Sequence, residues 1–373
     1  MIFKSDRRTL KNAIDSVSKA IPPKAAIDSL KFIRCETKNG TLLLTGYDLA
    51  TGIITSIDIE VPMGEESCAS FLCDGKKLSE ILGKQTAAEV EIEISGTLDA
   101  MTIKSGKSKC KLAILPDENY PSIPSFADDT EPITLSSDIL SDMIRQTIFA
   151  VAVTENKPVL TGECFDISDG NLEIAAIDGY RLAVRTEKIG VERKEHFVVP
   201  AKALNDLCKL MSKDKDIKIY PSKKNVIFDM GETKMFCRLL EGEFHNYRGS
   251  IPSSSLTEVY VNTRPFIEAL ERFTTLIDIK NKAPLCCEFS SGSIELSLRS
   301  SIGEMQETID ENIDFSGERV KIGFNCHFLL DALKGCENDR VKLKFNSALA
   351  PMVINPVESD GFTYLVLPVR LKN

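Results

Sequence analysis

Three short stretches of this chain share one pattern at a near-constant interval. They are DGKKLSEIL from Asp74, PAKALNDLC from Pro200 and NCHFLLDAL from Asn325. Their central leucines, Leu78, Leu204 and Leu329, stand 126 and 125 residues apart, and the acids Glu80, Asp206 and Asp331 keep one offset from them. Each stretch opens on a helix-start residue, spaces its apolar residues three to four apart, and follows a strand-like run: ASFLC, HFVV or KIGF. A fixed period means one structural plan used repeatedly, and that restricts the fold more than length does.

Two further landmarks keep the period. NGTLLLTGYDL from Asn39 matches DGNLEIAAIDG from Asp169 and, more loosely, SGSIELSLRSS from Ser291; Asp48 and Asp178 both stand eight residues beyond their glycines, Gly40 and Gly170. LPDENYPSIP ends at Pro124 and LLEGEFHNYRGSIP ends at Pro252, whereas the third copy runs on to TYLVLPVRLKN. Each copy opens with an amphipathic helix. The apolar stripes are Leu10, Ala13, Ile14 and Val17, then Leu140, Met143, Ile144, Ile148 and Val151, then Phe266, Leu270, Phe273 and Ile277. Alternating runs such as AEVEIEIS and RVKLKFN read as antiparallel strands with one packed face. The expectation is an α+β chain of three repeated domains, residues 1–125, 126–253 and 254–373, each with two helices on antiparallel sheet. A chain of 373 residues also exceeds what one core supports.

Chemistry is sparse. The three histidines, His196, His245 and His327, fall in no ligand pattern, and there is no GxGxxG, P-loop or GxSxG string. The acidic pairs Asp117-Glu118 and Asp128-Asp129 sit in loop-like stretches where solvated acids are common. The eleven cysteines are scattered, and Cys286-Cys287 is an adjacent pair, not a metal-ligand spacing; they read as small buried hydrophobes. No catalytic group, metal or cofactor is expected. The competing reading is a metal-dependent enzyme acting on nucleic acid through acids such as Asp178, Glu241 and Glu243. A net charge of −9 excludes a wholly basic nucleic-acid binder but not a local basic surface. No apolar run nears the roughly 20 residues of a membrane span. The charged start MIFKSDRRTL lacks an apolar signal core, so a cytoplasmic protein is expected.

The string AIDGYRLAV from Ala176 sets an aromatic, a guanidinium and a leucine just past a turn signal. With LLEGEFHNYRGSIP, IGFNCHFLLDAL and the ending YLVLPVRL, it resembles the bacterial sliding clamps, the beta subunit of DNA polymerase III, along the whole chain. Tyr180 stands where the family usually has histidine, His245 where it has proline, and Leu367 where it has methionine.

The resemblance implies three DNA-clamp domains per chain in a head-to-tail homodimer around double-stranded DNA, held topologically and without base readout. Twelve helices at about 10 Å each would line an opening of roughly 25–30 Å. On the first helix Arg8 and Lys19 fall opposite the apolar stripe, and Asp15 shares that face. Lys76, Lys77, Lys84, Lys202, Lys209, Lys213, Arg264 and Arg272 lie on or near the other candidate pore helices; a solvated surface is the alternative for any one of them. By resemblance, Lys24, Lys157 and Lys202 match DNA-contact positions. For the seam, a strand with Lys104, Lys107, Lys109 and Lys111 meets acids such as Glu304, Glu307, Asp310 and Glu311, and by resemblance Cys110 and Leu112 face Thr275, Leu276 and Ile277.

The resemblance also implies a pocket for a short linear peptide from DNA polymerase III alpha subunit, the clamp loader and other clamp-binding proteins. Its walls would be Leu160, Ile177, Gly179, Tyr180, Arg181, Leu182, Tyr247, Asn325, Phe328, Met352, Val366, Leu367, Pro368, Val369, Arg370 and Leu371. Apolar side chains would accept leucine or phenylalanine, and Arg181 with backbone groups would orient the peptide. No membrane partner is expected.

Overall fold

The computed structural model describes residues 1–62, 68–124, 131–154, 156–277, 283–358 and 361–371. Among them are six α-helices, each entered from a strand with at most one residue between. α1 (Arg7–Ser18) follows Ile2–Asp6, α2 (Gly75–Lys84) follows Ala69–Cys73, and α3 (Ser137–Arg145) follows Ile133–Ser136. α4 (Ala201–Leu210) follows Glu195–Pro200, α5 (Thr263–Thr274) follows Thr257–Asn262, and α6 (Cys326–Gly335) follows Val320–Phe324. The strand–helix step thus occurs twice in each copy of the repeat, and every copy opens on a strand before its first helix.

Side-chain caps start the helices where the sequence places them. Asp6 accepts from the Thr9 amide at 2.8 Å, Asp74 from that of Lys77 at 2.9 Å and Asn325 from that of His327 at 3.0 Å. α1 buries Leu10, Ala13, Ile14 and Val17, the expected stripe. The other two stripes overrun their helices. α3 stops at Arg145, because the Thr147 hydroxyl turns back onto the Met143 carbonyl at 2.8 Å; Ile148 lies in a separate short turn and Val151 just after it. α5 stops at Thr274, where the amides of Thr275 and Leu276 bond to carbonyls three residues back, so Ile277 packs on the core from beyond the helix.

All strand pairing is antiparallel. Met1–Asp138 and Asn205–Leu239 form one compact unit, and Ile139–Leu204 and Leu240–Asn373 form a second. Each unit joins two copies of the repeat through one sheet. In the first, Thr51–Asp58 pairs with Thr233–Arg238 within an eight-stranded sheet. In the second, Arg181–Lys188 pairs with Phe362–Val366 within a nine-stranded sheet, Arg181 opposite Val366. Each unit also holds a four-stranded sheet. Ser108–Ala113 is the edge of one and Glu304–Ile309 the edge of the other.

The core of the second unit is aromatic and aliphatic. Phe266, Phe273, Phe289, Phe324 and Tyr364 are fully buried, each worth about 1.5–3 kcal/mol for its apolar surface. Cys164, Cys287, Cys326 and Cys336 are buried among such groups, and burial pushes the Cys326 thiol up to about 12. Among the described residues no helix is long and apolar enough to cross a membrane.

One buried carboxyl is held where burial favours its protonated form. Glu163 is fully buried, and its Oε1 lies 2.7 Å from the Thr147 hydroxyl. That hydroxyl has a single hydrogen and faces the Met143 and Ile144 carbonyls as well as Glu163 Oε1, so its donation to the carboxyl offsets burial only in part. Burial raises this carboxyl well above its ordinary range, and Oε2 has no partner. Burial thus favours the neutral acid in the folded chain, whereas the unfolded chain releases the proton above about pH 4.3. Stability from this site is therefore complete below that pH and is lost as pH rises. Glu163→Gln supplies a neutral donor at any pH. Thermal unfolding followed by circular dichroism is expected to show the variant more stable than the parent at pH 8, the gap closing towards pH 4 at up to about 1.4 kcal/mol per pH unit. A variant less stable at pH 8 contradicts the assignment.

Candidate functional site

The turn in AIDGYRLAV is built from its own residues. Asp178 Oδ1 accepts from the amides of Tyr180 (2.8 Å) and Arg181 (3.0 Å), and Gly179 supplies a φ of +89° that a side chain would strain. Tyr180 is thereby pushed outward, 62% exposed, and stacks on Phe328 with ring centroids 5.9 Å apart. Arg181 points inward. Its guanidinium pairs with Asp178 at 3.0 Å and with Asp331 at 2.6 Å, and lies 4.5 Å from the Phe328 ring centre and 5.6 Å from that of Phe149. Asp331, one of the three repeat acids, thus ties the turn to α6. Arg181 is already neutralised, so it holds the wall in place and is not a free cation for a ligand carboxylate.

Two cavities meet at this turn. The first, about 580 Å³, has an apolar floor of Val159, Leu160, Ile177, Leu182, Phe244 and Leu365, with Lys157, Glu243, His245, Asn246 and Ser250 around it. The second, about 670 Å³, is lined by Ile277, Ala283, Pro284, Asn325, His327 and Phe328, with Pro368 and Val369 of the tail. Gly179, Tyr180 and Leu367 line both. The tail is held on either side of a residue with no N–H: the Leu367 amide donates to the Tyr180 carbonyl (2.9 Å), Pro368 donates nothing, and the Val369 amide donates to the Gly323 carbonyl (2.8 Å).

Eleven of the expected pocket residues line these cavities: Leu160, Ile177, Gly179, Tyr180, Arg181, Leu182, Asn325, Phe328, Leu367, Pro368 and Val369. Met352 and Val366 are fully buried behind the wall, paired in register. Tyr247 is buried under the floor, edge-on to Phe244, its hydroxyl donating to Glu173 at 2.6 Å. Arg370 and Leu371 line a neighbouring cavity with Cys286 and Arg299. Val159, Phe244, Leu365 and His327 were not expected; Phe244, Leu365 and His327 had a signal in their places in LLEGEFHNYRGSIP, YLVLPVRL and IGFNCHFLLDAL, and Val159 had none. Lys157, expected on DNA, and Ile277, expected in a seam, are lining residues here.

Elsewhere four of the expected DNA-contact cations are paired with acids. Lys77 meets Glu80, Lys209 meets Asp206 and Arg264 meets Glu268 at 2.9–3.1 Å. Asp15, the acid on the Arg8 and Lys19 face, is bound by Lys11 and Ser79. Arg272 and Glu307, expected on different surfaces, pair with each other through Nε and Oε2 at 3.0 Å. Lys104 pairs across its own sheet with Glu91 and Glu93, while Lys109 and Lys111 stand exposed on an edge strand and Lys107 in the turn before it. Among the described residues no three metal-ligating side chains converge, Asp178 is committed to its turn, and Asp128-Asp129 lies outside those residues.

The models for the N-terminal, central and C-terminal domains of the DNA polymerase III beta subunit match residues 1–124, 134–246 and 248–370. The chain belongs to the DNA polymerase III beta subunit family. It is 32% identical over 378 residues to the beta sliding clamp of Staphylococcus epidermidis, covering 99% of each chain. The Bacillus subtilis DNA polymerase sliding clamp superposes with a TM-score of 0.93 at 30% identity, covering all of both chains. The Eubacterium rectale beta subunit structure gives 0.92 at 31% identity, covering 99% of each. The chain therefore has three clamp domains and is a sliding clamp, a processivity factor of DNA replication and not an enzyme, which removes the nuclease alternative.

The tail's place in the clamp's groove depends on one missing side chain. A Cβ on Gly323 would lie 2.4 Å from the Val369 carbonyl oxygen. Gly323→Ala is expected to lift residues 367–371 and speed hydrogen exchange at the Val369 amide about tenfold or more. Unchanged exchange there contradicts the docking described.

Proposed function

We propose that two copies of this clamp close head to tail around duplex DNA and that the double cavity holds a short peptide of the replicative polymerase. The observation that carries the peptide reading is the pair of apolar cavities sharing Tyr180 and Leu367, with main-chain groups of the tail alongside. Such a groove suits an extended segment with two apolar anchors. DNA polymerase III alpha subunit, the clamp loader and other clamp-binding proteins are the partners of this reading, and the cytoplasm is its location. The domain boundaries adopted are 1–125, 126–253 and 254–373; the first falls at residues outside those described.

For the seam, the exposed edge strand with Lys109, Cys110, Lys111 and Leu112, and Lys107 in the turn before it, is matched to the edge strand with Glu304, beside Thr275, Leu276 and Ile277. For DNA, Arg8, Lys24 and Lys76 are the cations best placed to act, since they have no ion-pair partner among the described residues. Where lysines are paired to acids one turn away, contact with phosphate is weak and salt-sensitive.

Removing residues 369–373 takes Val369 from the second cavity, and with it the hydrogen bond that the Val369 amide donates to the Gly323 carbonyl. A fluorescently labelled C-terminal peptide of the polymerase is expected to bind the truncated chain about thirtyfold less tightly, roughly 2 kcal/mol. Sedimentation of both proteins at micromolar concentration is expected to show twice the 41.2 kDa chain mass. Equal peptide affinity contradicts the groove assignment; a monomeric parent contradicts the ring.

A further inference from the structure

We infer that Arg248 is a positioning residue for the groove: by bridging Asp166 and Glu173 it latches residues 243–250 against the sheet as one wall of the first cavity. The inference rests on the peptide reading above and deepens it by naming what holds that wall ready for a ligand. Glu243, Phe244, His245, Asn246 and Ser250 all line the cavity. The segment leaves the sheet after Leu240, whose amide donates to the Val198 carbonyl at 2.9 Å. Of residues 241–250 only Phe244 and Tyr247 are buried. The main-chain hydrogen bonds at its far end are local: the Tyr247 amide donates to His245, that of Ser250 to Tyr247 and that of Ile251 to Arg248. They shape the segment without tying it to the sheet.

Side chains make that tie, and they converge on two acids. Asp166 and Glu173 stand directly opposite each other on the paired strands Gly162–Ser168 and Asn171–Ile177, where two negative charges repel. Arg248 answers both: Nη1 donates to Asp166 Oδ2 at 3.0 Å and Nη2 to Glu173 Oε2 at 2.6 Å. Its guanidinium also lies 5.1 Å from the Tyr247 ring centre, and the Tyr247 hydroxyl donates to the same Glu173 oxygen at 2.6 Å. Without the guanidinium the two acids face each other unbridged and the segment loses its link to Asp166. Arg248 stands outside the cavity lining, so its effect on a ligand passes through the wall it holds. A site whose wall is in place only part of the time binds more weakly by that fraction.

The test makes two measurements on the full-length clamp. Hydrogen exchange at the Ser250 and Ile251 amides reads the wall, and anisotropy titration of a labelled C-terminal peptide of the polymerase reads the groove. Arg248→Gln is expected to speed exchange at those two amides about tenfold or more, to leave the amides of Leu285–Ser290 at the parent rate, and to weaken peptide binding about threefold. Arg248→Lys, a point charge that cannot fork across both acids, is expected to fall between the two. Adding Asp166→Asn to Arg248→Gln is expected to cost nothing further, because both break one latch. Parent-like exchange at Ser250 and Ile251 in Arg248→Gln overturns the inference alone, as does faster exchange there with peptide affinity unchanged. Weaker binding with parent-like exchange makes Arg248 a direct contact, and exchange raised equally in Leu285–Ser290 makes it a general structural residue; either result overturns the inference. If the parent does not bind the peptide, the peptide reading fails and this inference with it.

Discussion

The antiparallel pairing of Arg181–Lys188 with Phe362–Val366 governs the rest of the second unit. It fuses the second copy of the repeat to the third in one sheet, with Arg181 opposite Val366. The chain leaves that pairing at Leu367, beside the Asp178 turn, so the tail has nowhere to run but between the turn and α6. The groove follows from this. One wall is the turn, another is the start of α6, and the tail crosses between them under two main-chain hydrogen bonds. A slip of one residue in the ladder would exchange the buried and outward faces and close the site.

The same turn appears in the first copy, where the chain's own side chains pack beside it. Asp48 caps its turn as Asp178 does, accepting from Ala50 and Thr51, but Leu49 takes the positive φ that Gly179 takes in the second copy. Behind that turn Tyr120 and Ile123 pack on Leu30, Tyr47 and Phe236, and Ile123 lies close against Gly52. Gly52 stands at the position of Leu182, and a small residue there lets the chain's own isoleucine fill the space. Repetition supplied the scaffold, and a few side chains decided which copy kept room for a ligand.

Much of this was legible in the amino-acid string because local rules and the repeat agreed. Asp6, Asp74 and Asn325 cap helices as short polar side chains do, and the stripe of α1 is the buried one. The stripes of α3 and α5 misled at their ends, because periodicity continues through Ile148 and Ile277 although the Thr147 hydroxyl and tight turns stop the helices. Most groove residues were reachable by resemblance, but their depth was not. Met352, Val366 and Tyr247 lie behind the surface they support, and Lys157, just before the turn at Pro158–Thr161, also lines the cavity. Nor could spacing reveal that Arg272 and Glu307, 35 residues apart, neutralise each other. Such pairings depend on how sheets and helices meet, which the periodicity of one segment does not encode.

The central claim is a ring whose hold on DNA is topological. It is tested most directly by assembling the clamp with its loader on a nicked circular duplex, isolating the complex by gel filtration, and cutting the circle once. The account predicts that the clamp elutes with the circle at moderate salt and is lost from it after the cut, because contact with phosphates alone is too weak and salt-sensitive to hold it. Equal retention on the circle and on the cut linear DNA would contradict it.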